Sequence, residues 1–109
     1  MIGRASVTDV AAALSRGDIV IDVRTADEYA AGHIPGSTFM PLFAVPLRLS
    51  ELGRRRDVYV VCESGARGQQ AGHYLDERGY TVRNLDGGMA SWRGSGMPVR
   101  TGRDVGVHA

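Results

Sequence analysis

Two apolar, β-branched runs set the limits on what this chain can become. Ile19-Val20-Ile21-Asp22-Val23 and Val58-Tyr59-Val60-Val61 leave almost no polar position on either face, and a strand of that kind is stable only when covered on both sides. Helical patterns stand around them. Ser6 or Thr8 can cap a helix that carries Val10 to Leu14 on its apolar side and ends near Gly17. Thr25 and Glu28 have the spacing of a capping box ahead of Tyr29, Ala30 and Ala31, with a stop at Gly32. Gly68 to Arg78 places Ala71, Tyr74 and Leu75 on one side and closes at Gly79. Met89 to Arg93 forms a last short helix after the turn Asp86-Gly87-Gly88, and Ser37 to Met40 and Thr81 to Leu85 read as further strands. Strand and helix alternate, which predicts an α/β domain with a parallel sheet and helices on both faces.

The connecting segments carry their own signals. Gly32-His33-Ile34-Pro35-Gly36 is a turn, with proline fixing φ. Pro41 to Pro46 is apolar and twice interrupted by proline, so it reads as a loop or a single turn; together with Leu47 it is either cover for the core or an apolar docking patch near the sheet's edge. Leu47 to Leu52 reads as a short helix closed at Gly53, and Arg54-Arg55-Arg56 as a solvated turn. The domain is expected to occupy residues 1–100, followed by a mobile tail over 101–109.

The second apolar run stops at Cys62, the only cysteine in 109 residues, and small residues, an arginine and a helical stretch follow it. Cys62 therefore sits where a strand hands over to a helix. Ligands of open α/β sheets bind at the carboxyl ends of the strands, where the N–H groups of a tight loop and a first helical turn stabilise an anion. That anion can be the thiolate of Cys62 itself. The charged form gains hydrogen bonds from the loop Glu63, Ser64, Gly65, Ala66 and Arg67, and Arg67 supplies a candidate cation. The competing reading is an inert cysteine buried in the core.

Composition narrows the partners. The formal charge is +1, and all 13 basic residues are arginines spread along the chain, which gives no bulk reason to expect nucleic acid or an anionic membrane. A single cysteine can form neither an internal disulfide nor a cysteine-rich metal site, and the three histidines are scattered. The totals therefore give no sign of a metal site. No apolar run approaches the roughly 18 residues of a membrane span and the N-terminus has no signal-peptide pattern, so the expected location is the reducing cytoplasm, where a lone thiol stays available. A monomer and a homodimer are both compatible with these totals.

Several short motifs fall in register: Asp22-Val23-Arg24, Glu28-Tyr29, Gly32-His33-Ile34-Pro35-Gly36-Ser37, Cys62-x4-Arg67, and Leu85-Asp86-Gly87-Gly88 with Trp92 and Gly96-x-Pro98. Together they resemble the rhodanese family of sulfurtransferases in its single-domain form. The resemblance implies a three-layer domain with a central five-stranded parallel sheet. It also implies a cysteine at the head of a loop that cradles sulfur. In that chemistry the thiolate of Cys62 takes the outer sulfur of a donor, thiosulfate or a persulfide, and holds it as a persulfide. It then passes that sulfur to a thiol or to cyanide through a second displacement. With one cysteine there is no resolving partner, so the acceptor comes from outside, as a small thiol or a partner protein. The resemblance also implies that no metal or organic cofactor is needed.

The loop amides from Glu63 through Arg67 are expected to stabilise thiolate and persulfide, with Arg67 adding charge at the rim. Asp22 and Arg24 read as structural, with Arg24 placed to pair with Glu28; His33 reads as a structural hydrogen-bonder and Trp92 as core. The chain departs from the family at two positions. Gly68 stands where serine or another capping hydroxyl is common, which removes one contact at the helix start. Glu63, next to the cysteine, disfavours a dianionic donor and shifts the expectation from thiosulfate toward a protein persulfide or another carrier. A related fold carries phosphatase or arsenate reductase loops of the form Cys-x5-Arg; the shorter Cys-x4-Arg here favours sulfur over a tetrahedral oxyanion. A third reading is a sulfur-relay or redox-sensing module that works only inside a complex.

Overall fold

A computed structural model describes residues 2–53 and 57–102; the arginine run at 54–56 and the last seven positions, both read from sequence above, lie outside the described residues. Five strands form one parallel sheet: β1 (Gly3–Ala5), β2 (Ile19–Asp22), β3 (Thr38–Phe39), β4 (Val58–Val61) and β5 (Val82–Leu85), in the order β1-β5-β4-β2-β3. The helices are α1 (Val7–Arg16), α2 (Ala26–Ala31), α3 (Ala66–Glu77) and α4 (Gly88–Gly94), with two 3-10 turns over Leu42–Leu47 and Leu49–Glu51.

The middle of the sheet follows from the apolar runs. Every residue of β4 is buried, and its side chains alternate between two cores, as strand geometry requires. Val58, Val60 and then Cys62 join Ile21, Met40, Ala71 and Leu75 beneath α3. Tyr59 and Val61 join Val10, Ala13, Leu85, Met89 and Trp92 on the α1 and α4 side. Cys62 thus continues the α3 face of the strand. Trp92 is core, as expected, with Nε1 donating to the Pro98 carbonyl at 2.8 Å.

Several boundaries differ from the sequence reading for physical reasons. β1 carries no strand signature; its pairing of Gly3 to Ala5 with Arg83 to Leu85 makes it a strand. Ser6, not Thr8, caps α1, and the Asp9 carboxylate closes a capping box by accepting from the Ser6 N–H. The box at Thr25 and Glu28 forms as its spacing predicts. α3 begins at Ala66, two residues before Gly68, with Gly65 as its cap. The proline-broken segment is a 3-10 turn that divides in two: Ala44 and Val45 are buried, whereas Phe43 and Leu47 are 78 % and 80 % exposed. The chain then returns beside α2, where His33 and Arg100 form an isolated antiparallel bridge and the Gly102 N–H donates to the Ala30 carbonyl at 2.8 Å. Among the described residues no helix is long and apolar enough to cross a membrane.

The strand order places the site. The chain leaves β2 toward β3 on one side and leaves β4 toward β5 on the other, so the crevice between the carboxyl ends of β2 and β4 is a topological switch point. Cys62 follows β4 directly into it.

Burial separates the cost of two truncations. Leu75→Ala empties a fully buried position under the sheet and is expected to cost about 2–5 kcal/mol. Phe43→Ala removes a side chain that faces solvent and is expected to change stability by less than about 0.5 kcal/mol. Urea unfolding midpoints at constant m-value check both.

Candidate active site

The loop after β4 is held from outside before it reaches the sulfur. At the start of α4 the Met89 N–H donates to the Cys62 carbonyl at 2.8 Å and the Ala90 N–H to the Glu63 carbonyl at 3.2 Å. Gly88, at φ +55°, lies so close that a Cβ there would be driven into those two carbonyl oxygens. A trans peptide carries its C=O and N–H on opposite sides, so carbonyls turned to α4 leave the attached N–H groups facing the other way. Further along, the Gly65 N–H donates to Cys62 Sγ at 2.9 Å and the Gly68 N–H donates to it at 3.2 Å. The sulfur therefore lies in a backbone cradle, with 1 % of the residue exposed.

The donors differ from the expected set. Gly65 belongs to it, whereas Gly68, expected to mark a lost contact, donates to the sulfur directly. The absence of a side chain at Gly68 has a local cause in Asn84 on β5. A Cβ at Gly68 would strike Asn84 Oδ1, and the Asn84 amide in turn donates from Nδ2 to the Gly65 carbonyl at 3.0 Å and to Gln69 Oε1 at 3.3 Å. Asn84 occupies the space a hydroxyl would need and fixes the loop from the sheet side. Its Oδ1 is buried without a hydrogen-bond partner among the described residues and lies where a Cβ at position 68 would stand.

The charged residues are paired differently from the expectation. Arg24 does not pair with Glu28. Its guanidinium is buried with the Asp22 carboxylate, donating from Nε at 3.0 Å and from Nη2 at 2.8 Å; it also donates to the Gly32 carbonyl at 2.8 Å and to Glu63 Oε1 at 3.3 Å. Glu63 is also bonded by Arg93 of α4, so this carboxylate stands between two guanidinium groups instead of facing the crevice bare. Glu28 is taken by Arg67 in a two-pronged contact of 2.6 and 2.8 Å. The guanidinium of Arg67 thus makes its hydrogen bonds to a carboxylate and acts on Cys62 only through space, a smaller contribution to its own raised pKa than the Glu28 bond. His33 is buried, its ring stacked on Tyr29 at 3.6 Å and its Nδ1 donating to the Tyr29 carbonyl at 2.8 Å, a structural role in line with the turn it occupies.

A rhodanese-like domain profile matches residues 6–95. The chain belongs to the rhodanese-like domain family. It is 43 % identical over 82 residues to a protein of Allochromatium vinosum named sulfurtransferase, covering 74 % of this chain and 77 % of that one. It is 38 % identical over 89 residues to the Mycobacterium tuberculosis protein named HTH-type transcriptional regulator Rv0324, covering 80 % of this chain and 39 % of the longer relative. Among solved structures it resembles a thiosulfate sulfurtransferase from Pseudomonas aeruginosa at 27 % identity and a TM-score of 0.85, covering 94 % of this chain and 20 % of that one. Among the described residues no group of three or more His, Cys, Asp or Glu side chains is placed to hold a metal ion.

Two measurements probe this arrangement. The Arg67 bond, together with the Thr25 N–H, pushes the Glu28 carboxyl from 4.5 to about 2 against the opposing effect of burial. A carboxyl depressed in the folded state stabilises it above the unfolded value and stops doing so as pH falls through the folded one. The wild type is therefore expected to lose stability between pH 4.5 and about 2, and Glu28→Gln to be less stable at neutral pH and flatter across that window, read from urea midpoints against pH. Separately, Gly68→Ala is expected to cost about 1–3 kcal/mol through overpacking, with at least about half of that cost removed in an Asn84→Ala background. A double-mutant cycle with additive costs would show that the two positions do not share this space.

Proposed function

We propose that this protein is a sulfurtransferase in which Cys62 is the nucleophile and the sulfur carrier. The observation that carries the reading is the pair of backbone N–H groups, from Gly65 and Gly68, directed at Sγ at the carboxyl end of the central strand. Fixed dipoles of that kind stabilise a negative sulfur without moving at the moment of reaction. The relatives named sulfurtransferase and thiosulfate sulfurtransferase point to the same chemistry.

The thiolate of Cys62 attacks the outer sulfur of a donor, the donor's S–S bond breaks with its electron pair on the leaving group, and Cys62 is left as a persulfide. The thiolate of an acceptor then attacks that outer sulfur and restores Cys62. Each half moves one sulfur atom and needs no oxidant. The amides of Gly65 and Gly68 hold the charge in both states. Arg24 and Arg93 fix the loop through Glu63, and Arg67 fixes the first turn of α3 through Glu28. The spacing Cys62-x4-Arg67 suits this compact cradle better than one for a tetrahedral oxyanion. The cytoplasm is the proposed compartment, and a small thiol or a partner protein the proposed acceptor.

Mass spectrometry of purified protein after treatment with a sulfane-sulfur donor is expected to show the gain of one sulfur atom, removed by excess thiol. Cys62→Ala is expected to gain none. Turnover of an aryl phosphate by the wild type, with no persulfide formed, overturns the reading in favour of a phosphatase.

A further inference from the structure

The peptide units of the Cys62 loop are held one after another by different elements. The carbonyls of Cys62 and Glu63 accept from the start of α4. The carbonyl of Gly65 accepts at 3.0 Å from the Gln69 N–H, the first intrahelical bond of α3, and again at 3.0 Å from Asn84 Nδ2 on β5. The unit between these held groups joins Ser64 to Gly65, and its N–H is the one that donates to Sγ at 2.9 Å. On the helix side its pivot is Gly65, at φ +116°, the residue type with the widest range of φ and ψ. The direction of that N–H therefore depends on how firmly the Gly65 carbonyl is fixed.

Packing alone does not account for an asparagine at position 84. The residue is 7 % exposed, and its Oδ1 is buried without a hydrogen-bond partner among the described residues, which lowers stability unless something offsets it. A branched apolar side chain would carry no unpaired acceptor. The amide also has one orientation that makes bonds. Nδ2 donates to the Gly65 carbonyl and, at 3.3 Å, to Gln69 Oε1; exchanging nitrogen and oxygen would set an acceptor against two acceptors. What Asn84 supplies that an apolar residue lacks is a donor aimed from the sheet at the Gly65 carbonyl. The close approach of Gly68 to Oδ1 sets the same amide beside both residues whose N–H groups hold Sγ.

We propose that Asn84 is a positioning residue for Cys62: by fixing the Gly65 carbonyl from β5 it keeps the Gly65 N–H on Sγ and raises the fraction of Cys62 present as thiolate. The idea rests on the sulfurtransferase reading for its place in a reaction, since that thiolate is what attacks the donor, but its test concerns the thiolate alone. Loss of Nδ2 leaves the Gly65 carbonyl its bond from Gln69 and leaves α3 in place, while the turn before the helix is released. A hydrogen bond to a charged acceptor is stronger than one to a neutral acceptor, so the release weakens the hold on the thiolate more than the hold on the thiol.

Alkylation of Cys62 by iodoacetamide, followed against pH, reads the thiolate, because the thiolate is the nucleophile and the chain has no second cysteine to compete. In Asn84→Ala, and in Asn84→Leu, which keeps the branch at Cγ without the donor, the pH of half-maximal rate is expected to rise by about one unit, the effect of weakening one hydrogen bond to a charged sulfur. Gln69→Ala removes the other acceptor of Nδ2, leaves the Gly65 bond, and is expected to keep the wild-type profile. In 15N-labelled protein the Gly65 amide proton is expected to move upfield in both Asn84 variants as its hydrogen bond lengthens. Urea midpoints show which variants are folded, and either Asn84 variant alone decides. A wild-type profile in a folded Asn84 variant overturns the proposal. So does a shift in Asn84→Ala that Asn84→Leu reverses, which assigns the effect to packing, or an equal shift in Gln69→Ala. Shifted profiles in a protein whose wild type gains no sulfur from a sulfane-sulfur donor keep the positioning role and sink the sulfurtransferase reading; sulfur gain with unshifted profiles does the reverse.

Discussion

The site depends on which way the peptide groups of one loop are turned. The amides at the start of α4 take the carbonyls of Cys62 and Glu63, and the planarity of the peptide then commits the opposite faces of those units. Asn84 fixes the Gly65 carbonyl from β5, and along the path held in this way the N–H groups of Gly65 and Gly68 reach Sγ. No side chain supplies those donors, so the cradle is a property of backbone path. That path is set by two close approaches, Gly88 against the loop carbonyls and Gly68 against Asn84, that only glycine permits.

Electrostatics serves this backbone arrangement more than it serves the sulfur. A buried guanidinium with 2 % of its side chain exposed is costly unless its donors are satisfied, and Arg24 meets that requirement with Asp22, the Gly32 carbonyl and Glu63. One carboxylate of the loop is thereby tied to the end of β2, and the same carboxylate is tied by Arg93 to α4. The Glu28–Arg67 pair joins the first turn of α2 to the first turn of α3. These ion pairs span the crevice from both banks. Their energetic contribution is modest where they are solvated, so their main effect is to limit how far the loop's two ends can move relative to the sheet.

How much of this could be read from the residues in order depends on the range of each interaction. β2 and β4 were legible because two-sided burial saturates the local pattern, and the Thr25–Glu28 capping box because its partners are three residues apart. The position of Cys62 at a strand end followed from the same local signals. β1 was not legible, since Gly3-Arg4-Ala5 owes its extended form to β5 at the far end of the sequence. The charge network was misread for the same reason. Arg24 with Glu28 is the pairing that helical spacing suggests, but the observed contacts of Arg24 with Glu63 and of Arg67 with Glu28 each join positions 39 residues apart. Asn84, 19 residues beyond Gly65, carries no local mark of its role. The glycine at 68 looked like a missing hydroxyl until the side chain filling its space was seen on the neighbouring strand.

The burial of Cys62 sets two requirements against each other. A sulfur with 1 % of its residue exposed feels the loop amides in surroundings of low dielectric, where hydrogen bonds are electrostatically stronger than in water, but no donor can reach it without displacing something. The loop that donates to it lies at the surface: Ser64 and Ala66 are exposed and Gly65 is half-buried, so a shift of that one segment is the least costly route of access and leaves the helix–sheet core intact. The N–H groups that hold Sγ belong to that segment and to the first turn of α3, at Gly65 and Gly68, so a shift that exposes the sulfur also loosens its hydrogen bonds. Access to the sulfur and stabilisation of its charge are thus set by one piece of backbone rather than by strain in the fold.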